Sequence, residues 1–212
     1  TLEQDQKLAW HLTRASGICA YLFLTASMIW GLFVSTQYVK NWSPGALSMT
    51  LHSAISWIGL LMSLAHALLL LFDTYYSYAL TDLFVPFVGP YRPLAVGLGT
   101  LTFWGMLVVA VSFPFKKRLG HRAWKTIHML SYVTFTLVTV HALAAGTDSG
   151  RLGFRIQIGV SVGLVVLLLG IRLGQSRSEG ERPAARPGNT SVQRRATRTA
   201  NAQHTLTGQS GQ

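Results

Sequence analysis

The sequence predicts an all-α integral membrane protein: a five-helix transmembrane bundle followed by a disordered, basic C-terminal tail. Half of the 212 residues are hydrophobic and only 12% are charged, against about 25% charged in a soluble domain. No Asp, Glu, Lys or Arg falls in 15–39, 41–72, 93–115, 126–147 or 156–171, and a bilayer core takes about 20 mainly apolar residues per helix. Residues 175–212 are rich in Arg, Ser, Thr, Gln, Gly and Pro, with too little apolar surface to offset the entropy of ordering. The charge-free windows exclude a soluble globular enzyme. One cysteine, Cys19, inside an apolar window excludes a disulfide scaffold. The alternating segments of about 10 residues that build a β-barrel are absent. A net charge of +11 would suggest nucleic acid for a soluble protein; here it reads as membrane orientation, and no nucleic-acid partner is expected.

The first helix is expected over about 16–38, from Ser16 to Tyr38. No short apolar stretch with a small-residue cleavage site precedes it, so it reads as a span and not a signal peptide. The second begins at Pro44, which suits the first helical position, with Ser43 as cap. It runs to about Phe72, long enough to tilt or protrude. Residues 73–92 form the longest loop. Its tyrosines suit a membrane–water interface, and its prolines argue against a regular helix. The third helix covers about 93–113. A basic loop holds Lys116, Lys117, Arg118, Arg122 and Lys125. The fourth covers about 124–145, with Gly146 as C-cap. The fifth covers about 155–173, with Arg155 and Arg172 snorkelling from its ends. The domain division is thus 1–174 for the membrane domain and 175–212 for the tail.

Basic residues set the orientation. The 39–47 loop, the 114–123 loop and the tail share one side, which collects thirteen Lys and Arg from Lys40 onward, counting Lys125 just past the loop. Lys7, Arg14, Arg92, Arg151 and Arg155 lie on the other. The positive-inside rule puts the first set in the cytoplasm of a multi-pass plasma-membrane protein, with the N-terminus outside and the C-terminus inside.

Four of the seven histidines fall inside spans. An ionisable residue there is a functional candidate by default. His52 and His66 are 14 apart, a rise of about 21 Å, and His128 and His141 are 13 apart, a rise of about 20 Å. The second and fourth helices run in the same direction. Their histidines therefore form two layers: His52 with His128 near the cytoplasm, His66 with His141 near the outside. Two imidazoles facing each other across a bundle suit the iron of a b-type haem, and neutral imidazole needs no counter-charge in lipid. Fourteen residues leave His52 and His66 within roughly 40° of one face, whereas thirteen leave about 140° between His128 and His141 on an ideal helix. Ser56, Gly59 and Ser63 share the face of His52 and His66, and small residues admit a porphyrin or another helix. A proton or metal pathway and purely structural histidines remain the alternatives. His11, His121 and His204 read as solvated or structural. There is no Gly-rich phosphate loop, CxxC or HExxH. Asp73, Asp82 and Asp148 read as solvated outer-loop carboxylates.

With these paired histidines the chain resembles the ferric reductase-like transmembrane domain family. Weaker matches are Arg14-Ala15-Ser16-Gly17, Arg122-Ala123-Trp124-Lys125 before His128, and Gly146-Thr147-Asp148 after His141. The resemblance covers about residues 10–173. It implies two haem b, with His52 and His128 on the inner iron and His66 and His141 on the outer iron. It also implies electron transfer between cytoplasm and outside. Relatives that oxidise NADPH carry a flavin and nicotinamide domain after the last helix. No such domain follows here, which points to the electron-transfer subunit of a membrane oxidoreductase. The bacterial membrane subunit of the periplasmic methionine sulfoxide reductase system is the nearer comparison.

The expected function is an electron conduit in membrane lipid. Its donor is a separate reductase, carrying FMN or FAD, or quinol; its acceptor is an extracytoplasmic redox partner. A self-sufficient ferric or oxygen reductase at the outer haem is the alternative within this class. A histidine-based proton or metal-ion carrier is the alternative outside it. Because the tail offers no apolar surface and no ligand candidate except His204, truncation after Gln175 should leave the absorption spectrum of the purified protein unchanged. Loss of haem on truncation would show that the tail folds back onto the bundle.

Overall fold

In the computed structural model, residues 2–36, 44–73 and 75–180 are described. All regular structure among them is helical. The helices are α1 (Leu2–Ser35), α2 (Gly45–Leu69), α3 (Leu80–Phe84), α4 (Pro93–Ser112), α5 (Lys116–Leu119), α6 (His121–Ala145) and α7 (Leu152–Gly180). A 3-10 turn, Leu70–Phe72, ends α2. Five of these helices, α1, α2, α4, α6 and α7, are long and apolar enough to cross a membrane.

Several boundaries differ from expectation. Helix α1 begins at Leu2 and not Ser16, because nothing in its polar first turns breaks a helix and Arg14 finds a partner (below). Helix α6 starts at His121, directly after Gly120, whose φ of 77° halts the chain after α5. The 73–92 loop holds one short helix, α3, whose first turn is closed by the Asp82 carboxylate accepting from the Ala79 N–H. Pro44 precedes α2, as the N-cap residue and not the first helical one; Ser43 lies outside the described residues. Gly146 does stand at the C-cap of α6, but with an ordinary φ of −65°. Its glycine is required by closeness: a Cβ there would lie 2.3 Å from the Ala142 carbonyl oxygen. Of the expected tail, 175–180 continues α7, and 181–212 lies outside the described residues.

Among the described residues, those up to Arg172 form a first compact unit and those from Leu173 belong to a second. In the first, α1 packs along α2 and α4 along α6, as two helical hairpins. Within α1–α2, Gly59 brings α2 close to α1, where a Cβ would stand 3.3 Å from Phe23 Cβ. Ser56 meets Ser27 through their hydroxyls at 2.6 Å. So Ser56 and Gly59 serve the contact between helices, and Ser63 lines a cavity described below. In the other hairpin, a Cβ on Gly105 would lie 2.5 Å from Thr134 Cγ2, the close approach that small residues permit between spans. Within this unit α7 leans on the hairpins through Val165 and Leu168, which bury against Leu32 of α1 and Phe135 of α6. Arg172, expected near the end of the fifth helix, lies about two turns inside α7, which runs on to Gly180, and donates to the Tyr132 hydroxyl of α6. Outward faces carry exposed Leu61, Val133, Val160, Val166 and Leu167, apolar surface of the kind that a lipid solvent accommodates.

One polar contact locks the end of the bundle that holds the 73–92 and 146–151 loops. The Arg14 guanidinium donates through two nitrogens to both carboxylate oxygens of Asp148, and Arg151 Nε stands 3.1 Å from Asp148 Oδ1. Asp148 is therefore not a solvated loop carboxylate. Its side chain is 8% exposed, Arg14's 19% and Arg151's 69%. Asp73 also has a local task, accepting from the Tyr75 and Tyr76 N–H groups. Asp148→Asn should cost about 3 kcal/mol, because it leaves a largely buried guanidinium uncompensated. Arg151→Gln should cost about 0–1 kcal/mol, as at other exposed pairs. Thermal unfolding in detergent checks both, and equal losses would show that Asp148 does not act through Arg14.

Candidate haem-binding site

The four span histidines meet in two pairs. His52 of α2 faces His128 of α6 with ring centroids 6.1 Å apart and planes at 75°. His66 of α2 faces His141 of α6 at 6.4 Å and 73°. These are the pairings expected from depth. His11 packs on Trp10, and His121 packs on Trp124, a neighbour of His128 and not a member of either pair. His204 lies outside the described residues.

Two supporting helices orient three of these rings in one way. His66 Nδ1 is 2.8 Å from the Thr13 carbonyl oxygen of α1, and its ring lies over Gly17, where a Cβ would stand 2.9 Å from Cε1. His141 Nδ1 is 2.8 Å from the Ala95 carbonyl oxygen of α4, over Gly99, where a Cβ would stand 2.7 Å from Cε1. His52 lies over Gly31, with a Cβ-to-Cε1 distance of 3.0 Å. It stands beside the Ser27 carbonyl, but its Nδ1 falls short of a well-formed hydrogen bond. In each case the carbonyl belongs to residue i and the glycine to residue i+4. The helix N–H of the glycine already uses that carbonyl. The missing Cβ lets the imidazole reach the carbonyl's second lone pair. The steps repeat along α1 at the 14-residue interval of the α2 histidines: Thr13 and Gly17, then Ser27 and Gly31.

His128 has no such step. It stacks on Trp124, one turn earlier in its own helix, at 5.2 Å and 19°. Lys116 and Arg172 both lie within electrostatic reach of it, and the Lys116 ammonium sits 4.1 Å above the Trp124 ring. Helix α6 is regular from His121 to Ala145, so the 13-residue spacing is not absorbed by a change of helix type. Instead the rings leave different faces: His141 reaches α4, and His128 lies back along α6 on Trp124.

The chemistry of this donor set is restrictive. A carbonyl only accepts, so the protons of neutral His66 and His141 sit on Nδ1, and each Nε2 keeps a lone pair. Imidazole nitrogen binds first-row metals at about 2.0–2.1 Å and lies about 1.1 Å from its ring centroid, so two trans imidazoles on one atom stand with centroids roughly 6.3 Å apart. Both pairs match that separation. Among the described residues no group of three or more His, Cys, Asp or Glu gathers. A bare ion such as zinc would find only half of the usual four ligands, whereas a porphyrin brings four nitrogens and needs two more.

A cavity of about 560 Å³ surrounds His66 and His141. Trp10, Tyr76 and Tyr91 line it, as do Arg14 and Asp148. Tyr76 packs on Tyr91 at 4.8 Å. Burial, and then the Asp73 carboxylate, push the Tyr78 hydroxyl up to about 12.

The glycine steps are the part of the site that the sequence reading did not find. The signal was present, as the matching 14-residue intervals of Gly17 and Gly31 and of His52 and His66. No curated protein and no solved structure matches this chain. Residues 8–148, which hold both histidine pairs, all three glycine steps and Asp148, match the family described as Domain of unknown function (DUF8596), and the chain belongs to that family.

Proposed function

We propose that this chain is a transmembrane electron conduit holding two b-type haems, inner on His52 and His128, outer on His66 and His141. The observation that carries the reading is the pair of imidazole couples, each spaced so that both rings would reach one metal atom held between them. Haem b, when bound, supplies one-electron ferric/ferrous chemistry. The chain's own residues would hold and orient the group. Thr13 and Ala95 fix the tautomer of the outer ligands. The apolar helix faces keep water from the inner leaflet. The Arg14–Asp148 pair closes the outer end. A rise of about 21 Å between ligand layers on α2 leaves one macrocycle per leaflet.

The excess of Lys and Arg on the 116–125 side argues for that side being cytoplasmic, in a plasma membrane, with the N-terminus outside. The donor would then be a cytoplasmic flavin reductase or quinol. The acceptor would approach the cavity rimmed by the 73–92 and 146–151 loops. The resemblance to ferric reductase-like domains agrees with this reading. The proton-carrier alternative would call for carboxylates within the spans, and the sequence windows contain none.

Purified protein should be red, and pyridine haemochrome analysis should return about two haems per chain. His66→Ala or His141→Ala should remove one haem. Reduction of the inner haem should persist and transfer to an outer acceptor should stop. A colourless protein that binds zinc would overturn the proposal in favour of a metal carrier. A His66→Ala protein that still reduces the outer acceptor at the normal rate would show that the outer haem is off the path.

A further inference from the structure

The two histidine pairs have equal spacing but unequal surroundings. At the outer pair both ligands are bonded through Nδ1 to a backbone carbonyl, Thr13 for His66 and Ala95 for His141. At the inner pair neither ligand has such a bond. His52 Nδ1 is buried beside the Ser27 carbonyl without a well-formed hydrogen bond to it, and His128 rests on Trp124. The charges are unequal in the same sense. Lys116 lies over the Trp124 ring that stacks on His128, and Arg172 is bonded to Tyr132, one turn from His128. The cavity around His66 and His141 is lined by one cation, Arg14, and two carboxylates, Asp73 and Asp148, while Arg151 is largely exposed.

An imidazole that donates its second N–H to a carbonyl becomes a more basic ligand. A more basic axial ligand favours ferric over ferrous iron and lowers the potential. Nearby cations act oppositely, favouring the state with one more electron, most strongly where water is excluded. Both effects separate the sites in one direction.

We infer that Gly17 and Gly99 are positioning residues that admit the outer imidazoles to their carbonyls, and that they give the outer haem a lower potential than the inner one. The inference rests on the two-haem reading and adds an order of reduction to it. The glycines act through the ring, since a Cβ would meet His66 at 2.9 Å and His141 at 2.7 Å. Gly31 is an internal control. Its Cβ would stand 3.0 Å from one atom of His52 and 3.5 Å from the next, and no well-formed carbonyl bond exists there to lose.

The test is a potentiometric titration of the purified full chain followed in the haem absorption bands, with low-spin electron paramagnetic resonance of the oxidised protein. His52→Ala, which keeps the outer haem, and His66→Ala, which keeps the inner, assign the two waves. The outer haem should titrate below the inner. Gly17→Ala and Gly99→Ala should raise the outer wave toward the inner and shift the outer g-values, Gly99→Ala more. Gly31→Ala should leave the outer wave in place. Loss of only the outer haem from Gly99→Ala would also support the inference, and Gly17→Ala then supplies the potential shift. Waves in the reverse order overturn it. So does an unmoved outer wave in a Gly17→Ala protein that retains both haems. Wild-type protein without haem sinks the two-haem reading itself, whereas two haems in the wrong order sink only this inference.

Discussion

A histidine ring in a water-free layer has two nitrogens to satisfy, and the bundle is arranged around that requirement. A polar group left without a partner in an apolar medium costs several kcal/mol. Here the partner for Nδ1 is a helix carbonyl, which is already used by its own helix and reachable only where a side chain is missing. That explains why α1 and α4, which carry none of the paired histidines, are packed so closely on α2 and α6. Each hairpin consists of a histidine-bearing helix and a supporting helix. The supporting helix supplies a carbonyl and, four residues on, a glycine. With Nδ1 committed, Nε2 is the free lone pair on each outer ring. On the proposed reading, packing would thus set the direction of ligation before any metal arrives.

The same requirement accounts for the unlike ends of α6. An ideal helix cannot present residues 13 apart on one face, and α6 remains regular. His141 reaches α4, where Gly99 admits it. His128 has no glycine beside it and is held by stacking on Trp124, which is fixed in turn by Lys116 above the ring. The basic α5 segment, read from sequence as an orientation signal, therefore also touches the Trp124 ring on which His128 stacks.

Much of this was legible in one dimension. Charge-free windows gave the five long helices, because exclusion of charge from lipid leaves its mark residue by residue. Helical rise alone paired His52 with His128 and His66 with His141. Features that depend on distant partners were not legible. Asp148 reads as a loop carboxylate until Arg14, 134 residues away, is seen to cover it. Gly17, Gly31 and Gly99 were hidden by the general frequency of glycine in membrane helices. Only the structure distinguishes them from Gly159 and Gly163, where a Cβ would meet nothing within 4 Å.

On the proposed reading, the unequal surroundings bear on the direction of flow. A lower-potential outer haem makes the step from inner to outer haem uphill when no field is present. A membrane that is negative inside repels electrons outward, with about 2.3 kcal/mol per elementary charge per 100 mV across the full thickness. The ligand layers are about 20 Å apart in a core of about 30 Å, so roughly two-thirds of that drop falls between them. The field therefore works against the difference in potential, and a fast outer acceptor removes the electron once it arrives. Without the field or an acceptor, electrons would rest at the inner site, behind the basic loop and away from oxygen outside. Placing the carbonyl-bonded ligands at the outer end thus makes outward transfer depend on both an energised membrane and a partner at the tyrosine-rimmed cavity.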